Sequence, residues 1–191
     1  MNAYFSRDVV MKFLFAFSLL LTLSFNLQAN NIPVDLARAL AEQGDVRAQF
    51  MLAEHYYDGF MLKQDKQQAV YWYQKAAEQG HRQAQFSLAT AYDTGEGVQQ
   101  DLSKAAQWYK KAAMQGEASA AYNLGIMYDE GAGVAVDKLK ASTWLLVAFS
   151  LKQELAEDAW RQSSLLLNQA SREQAKQDAE KILQSIQQAA E

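Results

Sequence analysis

The sequence predicts an all-α fold, a right-handed α/α solenoid of three helix-turn-helix repeats of 36 residues, with capping helices at both ends. One pattern of residues recurs three times in a row at this spacing, with no insertion or deletion. Half of the residues are hydrophobic, which is enough to form a core, and only one is proline. Because six of the nine glycines belong to the repeated pattern, few residues that break helices remain elsewhere.

The repeated pattern places glycine, alanine, leucine, tyrosine, a second glycine, aspartate, a second alanine and tryptophan at fixed distances. In the first copy it consists of Gly44, Ala48, Leu52, Tyr56, Gly59, Asp65, Ala69 and Trp72. The second copy runs from Gly80 to Trp108 and the third from Gly116 to Trp144, with the same residue at every one of these positions. A period in the range of about 20 to 50 residues is typical of stacked repeat proteins.

Each repeat is predicted to hold two helices, A and B. In the second copy three residues recur four positions apart, and so lie on one face of a helix: Ala84, Leu88 and Tyr92. Helix A is therefore expected over residues 81–93, and Gly95 suits the left-handed conformation that ends a helix. Asp101 is expected to cap helix B, which runs to Gln115, and to stabilise it by about 1 kcal/mol. Trp108 is expected to supply most of the area that helix B buries.

The segments on either side of the repeats are predicted to close the ends of the solenoid. Pro33 suits the first turn of a helix that ends at Gly44, and a further helix is expected over 153–167. A final helix is predicted to begin near Ser171, which forms a capping-box pattern with Gln174. Its apolar face is expected to pack on the repeats and contains Ala175, Ala179, Ile182, Ile186 and Ala190. The predicted units are an N-terminal capping helix (30–43), three repeats (44–79, 80–115 and 116–151) and C-terminal capping helices (152–191).

Residues 1–29 have the features of a secretory signal peptide. A basic residue precedes an apolar run over 13–25, and Ala29 provides a small residue for cleavage. The run is shorter than the roughly 20 residues that a membrane-spanning helix needs, and an uncleaved membrane anchor is the alternative. Met11, which directly precedes the basic residue, is a second candidate for the initiator methionine. Cleavage predicts a periplasmic or secreted protein with no stable membrane insertion.

The repeated residues also point to a known family. The second copy shows the pattern most fully, in Ala84-Gln85-Phe86, Leu88-Ala89, Tyr92, Gly95, Gly97-Val98, Asp101, Ala105, Trp108-Tyr109, Lys111-Ala112-Ala113 and Gly116. Over residues 41–148 this resembles the Sel-one-like repeat (SLR), a relative of the tetratricopeptide repeat. The resemblance implies a solenoid in which helix A lines a concave face. Residues 59–62 depart from it, which predicts a more apolar A–B turn of different shape in the first copy, and 145–147 make helix B of the third copy more apolar.

Composition and motifs argue against several classes of function. The net charge is −4 and the basic residues are scattered, so nucleic-acid binding is not expected. The absence of cysteine excludes disulfides, thiolate catalysis and cysteine-ligated zinc. His55 and His81 lie on successive repeats with no recurring acidic partner, so no metal site is predicted. No phosphate-binding loop is present, so no cofactor is predicted, and the acidic residues near the ends of helix A are expected to be solvated.

The candidate binding residues are the helix A positions at which the three copies differ, because positions that are identical in every copy serve the packing. They are Arg47, Met51, Glu54 and Tyr57 in the first copy, Gln83, Ser87, Thr90 and Asp93 in the second, and Ser119, Asn123 and Ile126 in the third. Tyr57 stands out, since its equivalents are Asp93 and Asp129 and the repeat does not require a tyrosine there. Exposed Met, Tyr and Arg side chains are common at protein interfaces.

These inferences favour a non-enzymatic exported adaptor or scaffold that binds a protein or peptide through the concave face. The resemblance leaves one enzymatic alternative, a cell-wall or β-lactam hydrolase of the envelope, since exported members of the family that are rich in cysteine have been linked to such activity. Those members use disulfides, which this chain lacks. A mainly structural role, as an inhibitor or assembly factor of an envelope machine, has the same sequence features as the adaptor.

Overall fold

The computed structural model describes residues 33–190. The predicted signal peptide, residues 1–29, lies outside this part of the chain. Within residues 33–190 the chain forms nine α-helices and no β-strand. The helices are α1 (Val34–Glu42), α2 (Val46–Asp58), α3 (Lys66–Glu78), α4 (Arg82–Thr94), α5 (Leu102–Ala113), α6 (Ala118–Glu130), α7 (Lys138–Ser150), α8 (Ala156–Leu165) and α9 (Gln169–Ala189).

The helices follow one another in space as they do in sequence. The pairs α2–α3, α4–α5 and α6–α7 form the three repeats, and from α1 to α8 each helix packs on the next one along the chain. At one end α1 packs on α2, and at the other end α8 and α9 both pack on α7. This arrangement confirms the predicted all-α solenoid.

In each repeat, helix A ends at a glycine and helix B begins at an aspartate of the repeated pattern. α4 ends at Gly95, whose φ of +79° is the left-handed conformation that L-residues with a side chain rarely adopt. Asp101 caps α5, because its Oδ1 accepts a hydrogen bond from the backbone N–H of Lys104 at 3.0 Å. This bond and the Lys104 ammonium group lower the pKa of Asp101 below its usual value. Asp65 and Asp137 cap α3 and α7 in the same way.

Each A–B turn packs closely against the start of helix B in the preceding copy. A Cβ atom at Gly97 would lie 2.2 Å from the carbonyl oxygen of Lys66, and one at Gly133 would lie 2.4 Å from that of Leu102. Met61 occupies the equivalent position in the first copy. It has the same left-handed backbone, with a φ of +62°, and its side chain is exposed. The first turn therefore keeps its shape at this residue, contrary to the expectation, and its apolar side chain meets solvent.

The core contains many alanines and one large side chain from each helix B. Tyr109 is 1% exposed, whereas the preceding Trp108 is only half-buried. Tyr73 and Leu145 lie at the equivalent positions and are also buried, and Trp144 of the third copy is buried as well. The large side chain that lies deepest in each helix B is therefore the one that follows the tryptophan.

Buried glutamines join successive copies. The side-chain amide of Gln85 donates to the carbonyl oxygen of Ala77 at 3.1 Å, and its Oε1 accepts from Gln115 at 2.7 Å. Gln49 makes the equivalent bonds one repeat earlier. In the third copy the equivalent residue is Ala121. The side-chain bridges therefore connect the N-terminal part of the array, and packing alone connects the third copy at this position.

The final helix begins earlier than predicted. Asn168 caps α9, because its Oδ1 accepts a hydrogen bond from the backbone N–H of Ser171 at 2.8 Å. The predicted capping box of Ser171 and Gln174 is therefore wrong, since the helix already includes Ser171. No helix within residues 33–190 is long and apolar enough to cross a membrane.

The apolar face of α9 packs against the third repeat for most of its length. Ala175 and Ala179 are 1% exposed, and Ile182 and Ile186 pack against the core. Ala190, at the end of the predicted face, is exposed. This face therefore closes the C-terminal end of the solenoid.

Candidate functional site

Four of the candidate residues line one cleft, which we call the first cleft. It has a volume of about 270 Å³ and lies between helix A of the first copy (α2) and helix A of the second (α4). The four are Glu54, Tyr57, Ser87 and Thr90. The other lining residues are Asp58, Tyr73, Phe86, Ala91, Thr94 and Glu96. The variable positions of two successive repeats therefore meet in one place.

Tyr73 of α3 forms the floor of the first cleft. Its side chain is 3% exposed, and its hydroxyl donates a short hydrogen bond to the carboxylate of Glu54. Burial raises the pKa of Tyr73 well above the usual value for a phenol, and the Glu54 carboxylate raises it further. Tyr73 is therefore a neutral donor that fixes the position of Glu54 at the base of the cleft.

Tyr57 lies at the rim of the first cleft and links the first two copies. Its hydroxyl donates to Oε2 of Glu96 at 3.0 Å, and the Lys66 ammonium group lies 2.8 Å from the same oxygen. Lys66 also lies over the Tyr57 ring, 5.3 Å from its centroid. The Lys66 and Tyr57 hydrogen bonds lower the pKa of Glu96, which therefore stays ionised. Tyr57 thus contributes to packing between the first two copies. The sequence predicted no such role, because the other copies have aspartate at this position.

In the second copy the candidate residues converge on Tyr109, the equivalent of Tyr73. Its hydroxyl lies 3.3 Å from Oγ1 of Thr90 and donates to Oδ2 of Asp93 at 3.2 Å. Burial raises the pKa of Tyr109, so the phenol is neutral. Asn123, from helix A of the third copy, is half-buried. Two candidate positions of the second copy therefore share one buried hydroxyl group.

A second cleft, of about 310 Å³, lies at the C-terminal end of the array. On one side it is lined by Ile126, Asp129, Glu130 and Leu145. These are the repeat equivalents of four residues of the first cleft: Glu54, Tyr57, Asp58 and Tyr73. The other side is formed by Ala159, Gln162 and Ser163 of helix α8 and by Leu166, the residue that follows the helix. The same positions of the repeat thus form both clefts, and α8 takes the place of helix A of a fourth copy.

Polar contacts hold α8 against the third repeat. The hydroxyl of Ser163 donates to Oδ1 of Asp129 at 3.1 Å, and the Lys138 ammonium group lies 3.0 Å from the same oxygen. Ile126 and Leu145 give the second cleft an apolar interior where the first cleft has Glu54 and Tyr73. The two clefts therefore share a geometry and differ in chemistry.

The remaining candidate residues line neither of these clefts. Arg47 and Gln83 are exposed, and Met51 and Ser119 are half-buried. Arg47, Gln83 and Ser119 lie in the first turn of their helices, whereas Met51 is the repeat equivalent of the cleft residue Ser87. The structure therefore places three candidate positions near the helix starts, away from the clefts, and uses the position of Met51 in the second copy only.

Helix B residues were missed by the sequence comparison, which considered helix A alone. Tyr73 and Leu145 form the floors of the two clefts. The sequence does show that this helix B position varies. It is tyrosine in the first two copies and leucine in the third, whereas the tryptophan directly before it is present in all three. Asp58, Glu96 and Glu130 at the ends of helix A were also missed as cleft residues.

The two histidines have roles in packing and capping. Nδ1 of His81 accepts a hydrogen bond from the backbone N–H of Ala84 at 3.2 Å, and its ring stacks on Phe50 with centroids 4.5 Å apart. Burial, and then the charges of Arg47 and Arg82, lower the pKa of His81. His55 stacks on Phe60. Within residues 33–190, no group of three or more His, Cys, Asp or Glu residues is arranged to hold a metal ion.

Comparison with known proteins agrees with this architecture. A search of curated proteins found no match. A crystal structure of a Sel1 repeat protein from Oxalobacter formigenes is 36% identical, with a TM-score of 0.61, and the match covers 66% of this chain and 95% of that one. The crystal structure of c5321, a protective antigen present in uropathogenic Escherichia coli strains displaying an SLR fold, is 27% identical with a TM-score of 0.62. That match covers 80% of this chain and only 41% of c5321.

The family model for the Sel1 repeat matches this chain three times, over residues 46–81, 82–117 and 118–151. Each match begins two residues after the start predicted for that repeat. Together the matches cover more than half of the chain, and they coincide with the three helix pairs that form the clefts. The chain therefore belongs to the Sel1 repeat family.

Proposed function

We propose that this protein is a non-enzymatic, exported adaptor that binds a protein or peptide through the concave face of its repeat array. Sel1 repeat proteins are generally scaffolds for protein interactions. The features of a signal peptide in residues 1–29 are the basis for export to the periplasm or outside the cell. The two clefts lie on helix A of the repeats, which is the side expected to line the concave face.

One observation carries the proposal. The two clefts use the same four positions of the repeat, yet at three of them the side chains differ in charge or polarity, and only the position of Asp58 and Glu130 is acidic in both. A position that served only the packing of the repeats would need the same type of side chain in each copy, as the buried alanines of the core show. Clefts of a few hundred Å³ that combine apolar walls with a few polar groups are typical of binding sites.

The proposal is tested by photo-crosslinking in the native host. A photo-reactive phenylalanine derivative replaces Thr94, which is exposed and lines the first cleft. The matched control replaces Gln107, which is exposed on α5 and lines neither cleft. We expect a protein adduct from position 94 and none from position 107. Adducts of equal yield at both positions, or at position 107 alone, would contradict binding through the clefts.

A further inference from the structure

The charges around the two clefts are mostly negative. The carboxylates of the clefts and of the helix between them are Glu54, Asp58, Asp93, Glu96, Asp129 and Glu130. Lys66 and Lys138 are the lysines at this surface, and each forms a salt bridge with a carboxylate, Glu96 or Asp129. Within the described residues, the other four carboxylates form no salt bridge. The surface therefore keeps an excess of negative charge.

Two of these carboxylates lie at the C-terminal ends of helices, where the helix dipole is unfavourable for a negative charge. Asp58 is the last residue of α2, and Glu130 is the last residue of α6, two repeats later. The C-terminal end of a helix has a partial negative charge, which makes a carboxylate there unfavourable. Both residues are exposed, and each lines one of the clefts. Helix ends and side chains thus contribute to the same negative potential at both clefts.

The second cleft adds an apolar requirement. Ile126 and Leu145 line it, and Leu166, which directly follows α8, lies at its edge with 68% of its surface exposed. The neighbouring Leu165 is 73% exposed. An aliphatic side chain placed here would cover leucine surface that is in contact with water in the structure.

We infer that the partner presents a basic segment, with a lysine or arginine at the first cleft and a large aliphatic side chain in the second. This inference rests on the proposed function and names the chemistry of the segment that occupies the groove. The cation would face Glu54 and Asp58, neither of which forms a salt bridge within residues 33–190, and the aliphatic group would pack against Ile126, Leu145 and Leu166. Charge complementarity of this kind raises the association rate and excludes acidic partners.

A selection of random peptides displayed on phage, with the immobilised protein as bait, tests this inference. We expect the enriched peptides to have a net positive charge and to combine a basic residue with Leu, Ile or Met. Enrichment of acidic or neutral peptides would overturn the inference while leaving peptide binding, and so the proposed function, intact. No enrichment over an unrelated bait would count against the proposed function itself, and the inference would fail with it.

Variants with matched controls then locate the binding of one enriched peptide, labelled with fluorescein and followed by fluorescence anisotropy. Asp58→Asn is expected to weaken binding about three- to tenfold. The control, Glu78→Gln, removes one negative charge at an exposed position outside the clefts and should change binding less than about twofold. Equal weakening by the two variants would overturn the assignment of the cation to the first cleft.

The apolar half of the inference has its own pair of variants. Leu166→Ser is expected to weaken binding of the peptide about tenfold, because the leucine covers the aliphatic side chain. The control is Leu155→Ser, since Leu155 is 64% exposed on the same part of the chain and lies outside the second cleft. Both leucines are largely exposed, so neither change should unfold the protein. Equal affinity of the two variants would overturn the assignment of the second cleft.

Discussion

Replacement of Gly97 by alanine tests how closely the repeats are stacked. The new Cβ atom would lie 2.2 Å from the carbonyl oxygen of Lys66 and 2.5 Å from its carbonyl carbon. These are backbone atoms at the first turn of α3, which Asp65 caps, so they cannot move without displacing the helix. Two copies must therefore move apart to accommodate a single methyl group.

The magnitude follows from comparison with Gly80→Ala. Gly80 also has a positive φ, +91°, but a Cβ there would have no atom within 4 Å. Both substitutions place alanine in the left-handed region, which costs about 1–2 kcal/mol. Gly97→Ala has in addition the cost of overpacking, about 1–3 kcal/mol. We therefore expect the free energy of unfolding to fall by about 2–5 kcal/mol for Gly97→Ala and about 1–2 kcal/mol for Gly80→Ala.

Urea unfolding followed by far-ultraviolet circular dichroism measures both variants against the parent protein. Gly133→Ala should behave like Gly97→Ala, because its Cβ would meet the backbone of Leu102 in the next junction. If Gly97→Ala were no less stable than Gly80→Ala, the close approach of turn and helix would not limit the stacking, and the reasoning would be refuted.

Three further predictions concern capping and the junctions. Because burial lowers the pKa of His81, the unfolded chain binds more protons than the folded one below about pH 6.5. Stability should therefore fall as the pH is lowered from 7 to 5, by up to about 1 kcal/mol as the His81 cap is lost, and His81→Asn should remove this part of the pH dependence in urea titrations. Gln85→Ala should lower the free energy of unfolding by about 1–3 kcal/mol, since it removes two hydrogen bonds, one to the Ala77 carbonyl and one from the Gln115 amide. Asp101→Ala should lower it by about 1 kcal/mol, whereas Asp101→Asn should keep most of the cap.

Each of these has an outcome that would count against it. An unchanged pH dependence in His81→Asn would show that other groups cause the acid sensitivity. A Gln85→Ala variant as stable as the parent would mean that water replaces the bridge between copies. Equal losses in Asp101→Ala and Asp101→Asn would assign the effect to charge, because asparagine keeps the accepting oxygen and lacks the carboxylate.

Part of the candidate site could be predicted from the sequence. Glu54, Tyr57, Ser87 and Thr90 were selected because the copies differ there, and the structure brings these four residues into one cleft. Arg47 and Gln83 also differ between the three copies, but they lie near the helix starts and outside the cleft. The differences between copies therefore do not distinguish these two residues from the four that line the cleft. Variation along a helix shows which residues the stack does not require, and it does not show which of them face the same cleft.

Other features depend on packing between segments that share no pattern. Helix α8 has no repeat signature, so its role as the missing wall of the second cleft follows only from its position against Ile126 and Leu145. Tyr57 is replaced by aspartate in the other two copies, and its bond to Glu96 exists only because α2 lies beside the turn that follows α4. In both cases the contact joins residues far apart in sequence.

The sequence by itself determined the order of the helices and the ends of those in the repeats, because these depend on interactions within a few residues. Gly95 ends α4 and Asp101 begins α5 through backbone conformation and a hydrogen bond to an amide three residues away. The regular spacing of 36 residues then made the solenoid predictable, since identical units stack in one way. Only the tertiary structure decided which side chains share a cleft, because the position of one helix on the next depends on the summed packing of many side chains.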